Sequence, residues 1–181
     1  MKEKPTSRQE TFSHLDYLDI FTHPLLDQTI PEPELTGHYD HTVVVGRFQP
    51  LHYGHLYLIQ QALRVSDSLT IGIGSANVIN SDNPFSPQER EYMLCKALKR
   101  NRTMDKIKKI VYLDDNPNDM TWVKRTINKV GKVKAVVGNN EWVNDCFDIV
   151  GIPAVTIPLL TRNIFEGKKI REYLRALGKI A

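Results

Sequence analysis

The sequence predicts an α/β fold, a doubly wound and mostly parallel sheet, with an N-terminal arm ahead of it. Two observations lead there. From Thr42 onward, short apolar runs alternate with segments whose apolar residues recur at helical spacing. The runs are apolar without polar alternation, as strands covered on both faces must be, and repeated βα units bury a parallel sheet in that way. At 181 residues, 41% hydrophobic and 25% charged, the chain is long enough for one such domain plus an extension. The boundaries read as an arm and linker over 1–40 and the main domain over 41–181.

The arm differs in composition from the rest. It holds Pro5, Pro24, Pro31 and Pro33, with His14, His23 and His38 inside it and His41 at its edge. Leu15, Leu18, Ile20 and Phe21 form a short apolar patch, enough for one or two helical turns docked on the main body. Pro31-Glu32-Pro33 cannot continue a helix. The histidines lack paired ligand spacing, so no metal site is read from them.

In the main domain Val43-Val44-Val45 is the first strand, followed by a loop from Arg47 to Tyr53. Gly54 to Val65 places Leu56, Ile59 and Leu63 on one helical face. Leu69 to Ile73 is the second strand. Ser86-Pro87-Gln88-Glu89 then opens a helix, with Ser86 as N-cap, Pro87 at the first helical position and Glu89 completing a capping box. Ile107 to Leu113 is the third strand, Asp114 to Asp119 a polar loop, and Met120 to Val130 a helix closed by Gly131. Val133 to Val137 reads as a strand, Asn140 to Ile149 as a helix and Ala154 to Ile157 as a strand. The last helix runs from near Phe165 to Leu177. Ligands of such sheets bind beyond the carboxyl ends of the strands, where strand order reverses. Three loops, Gly46 to His55, Gly74 to Phe85 and Gly138 to Asn140, are expected to converge there.

Bulk properties narrow the partners. The 24 basic and 21 acidic residues leave a net charge of +3, too little to argue for nucleic acid or a membrane surface. Cys95 and Cys146 both fall in helical segments, with neither the number nor the spacing for a disulfide framework or a zinc site. Met1 to Glu10 is polar and lacks the apolar core of a signal peptide. The most apolar stretch, Ile149 to Leu160, is broken by Gly151, Pro153 and Pro158 and is too short to span a bilayer. A cytoplasmic protein is expected.

The strongest chemical signal is Gly46-Arg47-Phe48-Gln49-Pro50-Leu51-His52-Tyr53-Gly54-His55, placed between the first strand and its helix. Gly46 has no side chain to interpose between backbone and a nucleotide. Gly54 lies at the helix entrance, where free N–H groups and the helix dipole favour an anion. His52 and His55, three apart, face the same way. Arg47 adds a bidentate phosphate donor. This set suits phosphoryl chemistry that needs charge stabilisation more than a base.

The run resembles the signature of the archaeal-type nicotinamide-nucleotide adenylyltransferases, within the nucleotidyltransferase superfamily that uses His-x-Gly-His. Ile71-Gly72-Ile73-Gly74-Ser75-Ala76, Asn83-Pro84-Phe85-Ser86 with Glu89-Arg90, and Gly138-Asn139 are similar to the same family. The similarity covers about residues 42 to 175. It implies a Rossmann-like nucleotidyltransferase fold and transfer of AMP from ATP to nicotinamide mononucleotide, giving NAD and pyrophosphate. It further implies Mg²⁺ with the ATP and a homo-oligomer. Carried over by position, His52, His55, Arg47 and Arg171 would be catalytic. Gly46, Phe48, Gly54, Gly138, Asn139 and Lys168 would bind ATP. Asn83 and Trp122 would bind the acceptor, Trp122 by stacking its indole on the cationic nicotinamide ring. On the residues alone, Trp122 reads equally as a core aromatic.

The chain departs from the family pattern twice. The C-terminal phosphate motif reads Glu166-Gly167-Lys168-Lys169-Ile170-Arg171, so Glu166 and Lys168 replace two hydroxyl residues. Asn163 is expected to cap this helix with Glu166 at its third position, turning the carboxylate towards backbone. The loop between Ser75 and Asn83 reads Val78-Ile79-Asn80-Ser81 where relatives have a Ser-His-Thr-like segment. That loop leaves another phosphorylated acceptor open, and Glu166 with Lys168 leaves open a catalytically weak nucleotide-binding regulator.

Overall fold

A computed structural model describes residues 35–158 and 166–181. The apolar patch of the arm, His14, His23 and Asn163 lie outside the described residues. Strand β1 (Tyr39–Gly46) leads into helix α1 (Tyr53–Arg64), then β2 (Ser66–Ile73) and α2 (Pro87–Arg100). A short 3₁₀ turn, Met104–Lys106, precedes β3 (Ile107–Tyr112). Next come α3 (Asp119–Val130), β4 (Ala135–Gly138), α4 (Glu141–Asp148), β5 (Ala154–Thr156) and α5 (Gly167–Ala176).

The five strands lie in the order β3-β2-β1-β4-β5, and every pair is parallel. Order therefore reverses between β1 and β4, the switch point of a doubly wound sheet. On one face α3 and α4 close a core in which Trp122, Val123, Val130, Val143, Cys146 and Phe147 meet Val43 and Val136. The right-handed crossovers that parallel strands adopt put α1 and α2 on the other face. Leu56, Ile59 and Ala62 of α1 are buried there, as are Leu94, Ala97 and Leu98 of α2.

Local chemistry explains the ends of these elements. Ser86 Oγ accepts from Glu89 N at 3.2 Å while the Glu89 carboxylate accepts from Ser86 N at 2.8 Å, with Pro87 in the first turn of α2. Gly131 stops α3 at φ 81°, a conformation costly for any residue with a Cβ. Asn118 and Asn140 cap α3 and α4 through their side-chain oxygens.

Strand β1 begins at Tyr39, inside the segment expected to be linker, because His41 is a working strand residue. Its Nδ1 bonds Ser68 Oγ at 2.8 Å and its Nε2 bonds Thr70 Oγ1 at 2.9 Å, both on β2. The capping expected for α5 is also corrected. Glu166 is itself the N-cap residue, and its side chain makes no cap hydrogen bond. Among the described residues no helix is long and apolar enough to cross a membrane.

Candidate active site

A cleft of about 330 Å³ opens at the switch point, within the range of small-ligand sites. Gly46 and Arg47 line it from the end of β1, His52, Gly54 and His55 from α1, Asn139 and Asn140 from the end of β4. Ile157 and Pro158 follow β5, and Glu166, Gly167, Lys168 and Arg171 form the wall made by α5.

The two histidines meet as the spacing predicts. Their ring centroids are 3.8 Å apart with planes inclined by 30°. His52 N donates to His55 Nδ1 at 3.3 Å, so that nitrogen is unprotonated and the proton of the neutral ring sits on Nε2. His52 is only 9% exposed and its Nδ1 has no hydrogen-bond partner. Burial lowers the His52 pKa to about 4. Burial likewise holds His55 well below the usual value, helped by the nearby charges of His52 and Arg47. Both rings are neutral at pH 7, and Arg47, Lys168 and Arg171 supply the positive charge.

Backbone geometry shapes this pocket. Phe48 takes a positive φ of 51°, which folds its ring back over Gly46; a Cβ on Gly46 would stand 3.0 Å from the ring. The expected reason for Gly46 is thereby amended, since Phe48 rather than an approaching nucleotide occupies that space. The Phe48 ring also packs against His55, with centroids 4.8 Å apart and planes inclined by 52°.

Three residues that the sequence did not single out hold the parts together. Gln49, 3% exposed, donates from Nε2 to Phe85 O at 2.8 Å and accepts from Phe85 N at 3.1 Å. Its backbone oxygen accepts from Arg171 Nη1 at 2.7 Å. Gly167 permits that contact, because a Cβ there would lie 2.9 Å from Gln49 O and 3.3 Å from Arg171 Nη1. Arg90 is fully buried and donates to the carbonyls of Arg47, Gly74, Ser75 and Ser86, tying the loops after β1 and β2 to α2. Burial lowers its pKa to about 10, which still leaves it charged at neutral pH. Gln49 and Arg90 lie within stretches that resemble the family and Gly167 within the motif that departs from it, but most of their partners are distant in sequence and local pattern gives no sign of them.

Other expected site residues sit apart from the cleft. Of the three loops, that from Gly74 to Phe85 does not line it; this loop lies behind Gln49 and is held to α5 by Arg171 and Arg175. Arg171 Nη2 reaches Asp82 at 3.5 Å, and Arg175 donates to Ser81 O. Asn83 is buried beside Asn80, with its Oδ1 unpartnered. Gly138 ends β4 beneath Asn139 without lining the cleft. Trp122 is 3% exposed and belongs to the core, 4.6 Å from Trp142 and 6.5 Å from Phe147.

A family profile described as cytidylyltransferase-like matches residues 43–172. The chain is 36% identical over 131 residues to the nicotinamide-nucleotide adenylyltransferase of Archaeoglobus fulgidus, covering 70% of this chain and 75% of that one. It is 34% identical over 130 residues to the enzyme of the same name from Thermoplasma volcanium, covering 71% and 72%. Among solved structures, it is similar to a bifunctional NMN adenylyltransferase/ADP ribose pyrophosphatase from Francisella tularensis complexed with AMP and Mn ion. That match has a TM-score of 0.68 at 28% identity and covers 76% of this chain but 42% of the longer one. Fold, cleft and profile together define a nucleotidyltransferase. Within that class, the chain belongs to the family of the nicotinamide-nucleotide adenylyltransferases.

Proposed function

We propose that the protein transfers the adenylyl group of ATP to nicotinamide mononucleotide, forming NAD and releasing pyrophosphate, in the cleft at the switch point. The observation that carries this reading is the pair of stacked neutral imidazoles at the mouth of the first βα turn, ringed by three cations. The names of the relatives supply the acceptor.

The acceptor's phosphate is already ionised, so no proton has to be removed before attack. Its oxygen approaches the α-phosphorus of ATP in line; that bond forms as the bond to the α–β bridging oxygen breaks, and pyrophosphate leaves with the electron pair. Catalysis reduces to alignment and charge stabilisation. His55 donates its Nε2–H to a phosphate oxygen, and His52 gives the second donor. Arg47 holds the phosphates as a fork and Lys168 as a point charge, while Arg171, with Nη1 on Gln49 O and Nη2 towards Asp82, adds its charge from the wall. Gly46, Phe48, Gly54, Gly138 and Asn139 shape the ATP site.

Asn83 and Trp122 are assigned to the acceptor side. Stacking on Trp122 requires Trp142, 42% exposed, to swing off it first. Mg²⁺ arrives on the triphosphate, where it offsets phosphate charge. The protein works in the cytoplasm as a homo-oligomer on small-molecule substrates.

Incubating the purified protein with ATP, Mg²⁺ and a panel of phosphorylated acceptors, with products identified by mass spectrometry, tests this reading. NAD as the dominant product is expected. A second reading keeps ATP and changes the acceptor. It rests on the 77–82 loop, which closes on itself through Asn80 and leaves Ile79 62% exposed. A different dominant product in the same panel would select it.

A further inference from the structure

Among the described residues lining the cleft, Glu166 is the single acidic side chain, in a wall otherwise made for phosphates. A carboxylate facing a triphosphate repels it unless something positive lies between them. The usual escape is closed here. Glu166 occupies the N-cap position of α5, yet its side chain bonds no backbone N–H of that helix. Among the described residues its carboxylate has no hydrogen bond or ion pair, although Arg47, Lys168 and Arg171 line the same cleft. This end of α5 is also held in place, because Arg171 donates to Gln49 O.

Mg²⁺ and Mn²⁺ are hard cations, and protein sites for nucleotide-bound Mg²⁺ commonly combine one or two carboxylates with phosphate oxygens and water. Among the described residues no cluster of three potential ligands is available. The donor set on offer is one carboxylate, to be completed by the nucleotide. We propose that Glu166 supplies an oxygen ligand, directly or through a bound water, to the divalent cation that accompanies the triphosphate. The proposal rests on the reading of the cleft as an ATP site. It turns the replacement of a hydroxyl by Glu166 from a defect into a metal requirement: the same side chain opposes the bare nucleotide and favours the metal-loaded one.

That inversion of sign is the test. The full chain and its Glu166→Gln and Glu166→Asp variants are titrated calorimetrically with a non-hydrolysable ATP analogue, once in EDTA and once in excess Mn²⁺. In Mn²⁺, Glu166→Gln is expected to bind about 10-fold more weakly than the unaltered chain, the scale on which losing one metal partner acts. In EDTA the same variant is expected to bind about 2- to 5-fold more tightly, as removal of one partly solvated like charge allows. Glu166→Asp, which keeps the charge on a shorter arm, should match the unaltered chain in EDTA and fall between the two in Mn²⁺. Electron paramagnetic resonance of free Mn²⁺ in the presence of chain and analogue gives a readout independent of turnover. A shift of Glu166→Gln in the same direction under both conditions overturns the assignment of Glu166 and leaves the ATP site standing. No nucleotide binding by the unaltered chain under either condition overturns both.

Discussion

His52 lies with its Nδ1 buried and unpartnered against the ring of His55, and burial holds its pKa near 4. An unfolded chain presents the same imidazole at the ordinary value of 6.5. Between those values the unfolded state binds more protons, so stability is full above pH 6.5, falls as pH drops towards 4, and stays lost below it. The loss attributable to His52 amounts to roughly 3 kcal/mol. Denaturant titrations from pH 7 to 4 should show it, and a non-titrating control isolates the charge: His52→Gln is expected to flatten that part of the profile. For catalysis, His52→Ala is expected to keep the fold and to lower turnover by at least about 100-fold, the scale on which a lost transition-state donor acts. Near-normal pyrophosphate release in that variant would remove His52 from the mechanism. Arg90 tests a different role. Replacing it with Met strips the carbonyls of Arg47, Gly74 and Ser75 of a buried donor and should lower stability by about 3 kcal/mol in urea unfolding.

Helix α5 shows what one missing atom does for an element. Gly167 lets the first turn close on Gln49 O; in Gly167→Ala the new methyl, 2.9 Å from that oxygen, must push the helix or the β1 loop away. Turnover assays should then show KM for ATP raised by about 10-fold with a smaller change in kcat, as expected when about 1.4 kcal/mol of ground-state binding is lost. Unchanged KM would mean that the wall formed by α5 does not touch the nucleotide. The elements themselves were legible: the capping box at Ser86, the Gly131 stop and the histidine pair follow from local spacing, and each forms as expected. What local spacing cannot convey is long-range company. Nothing near Gln49 in the chain announces Phe85 or Arg171, and an amphipathic pattern does not say whether Trp122 faces a ligand or Trp142 and Phe147. The start of β1 was missed for a similar reason, since His41 is satisfied by hydroxyls on β2 rather than by its neighbours.

Across the whole molecule, the cleft is lined from the ends of β1, β4 and β5 and from α1 and α5, so a bound nucleotide bridges segments distant in sequence. At a concentration 100 times its dissociation constant, such a ligand adds about 2.7 kcal/mol to stability. Thermal melts with an ATP analogue and Mg²⁺ are expected to rise by several degrees, and Arg171→Ala to lose most of that rise. Equal rises in both proteins would place the nucleotide elsewhere. The bond between Arg171 and the Gln49 carbonyl spans 122 positions of the chain. A ribosome therefore makes the imidazole pair early and the last wall of its pocket late. Until Arg171 has been added and has folded back, the growing polypeptide carries the histidines without a chamber to use them in. The onset of activity is thereby tied to the arrival of Arg171 rather than to the appearance of the motif.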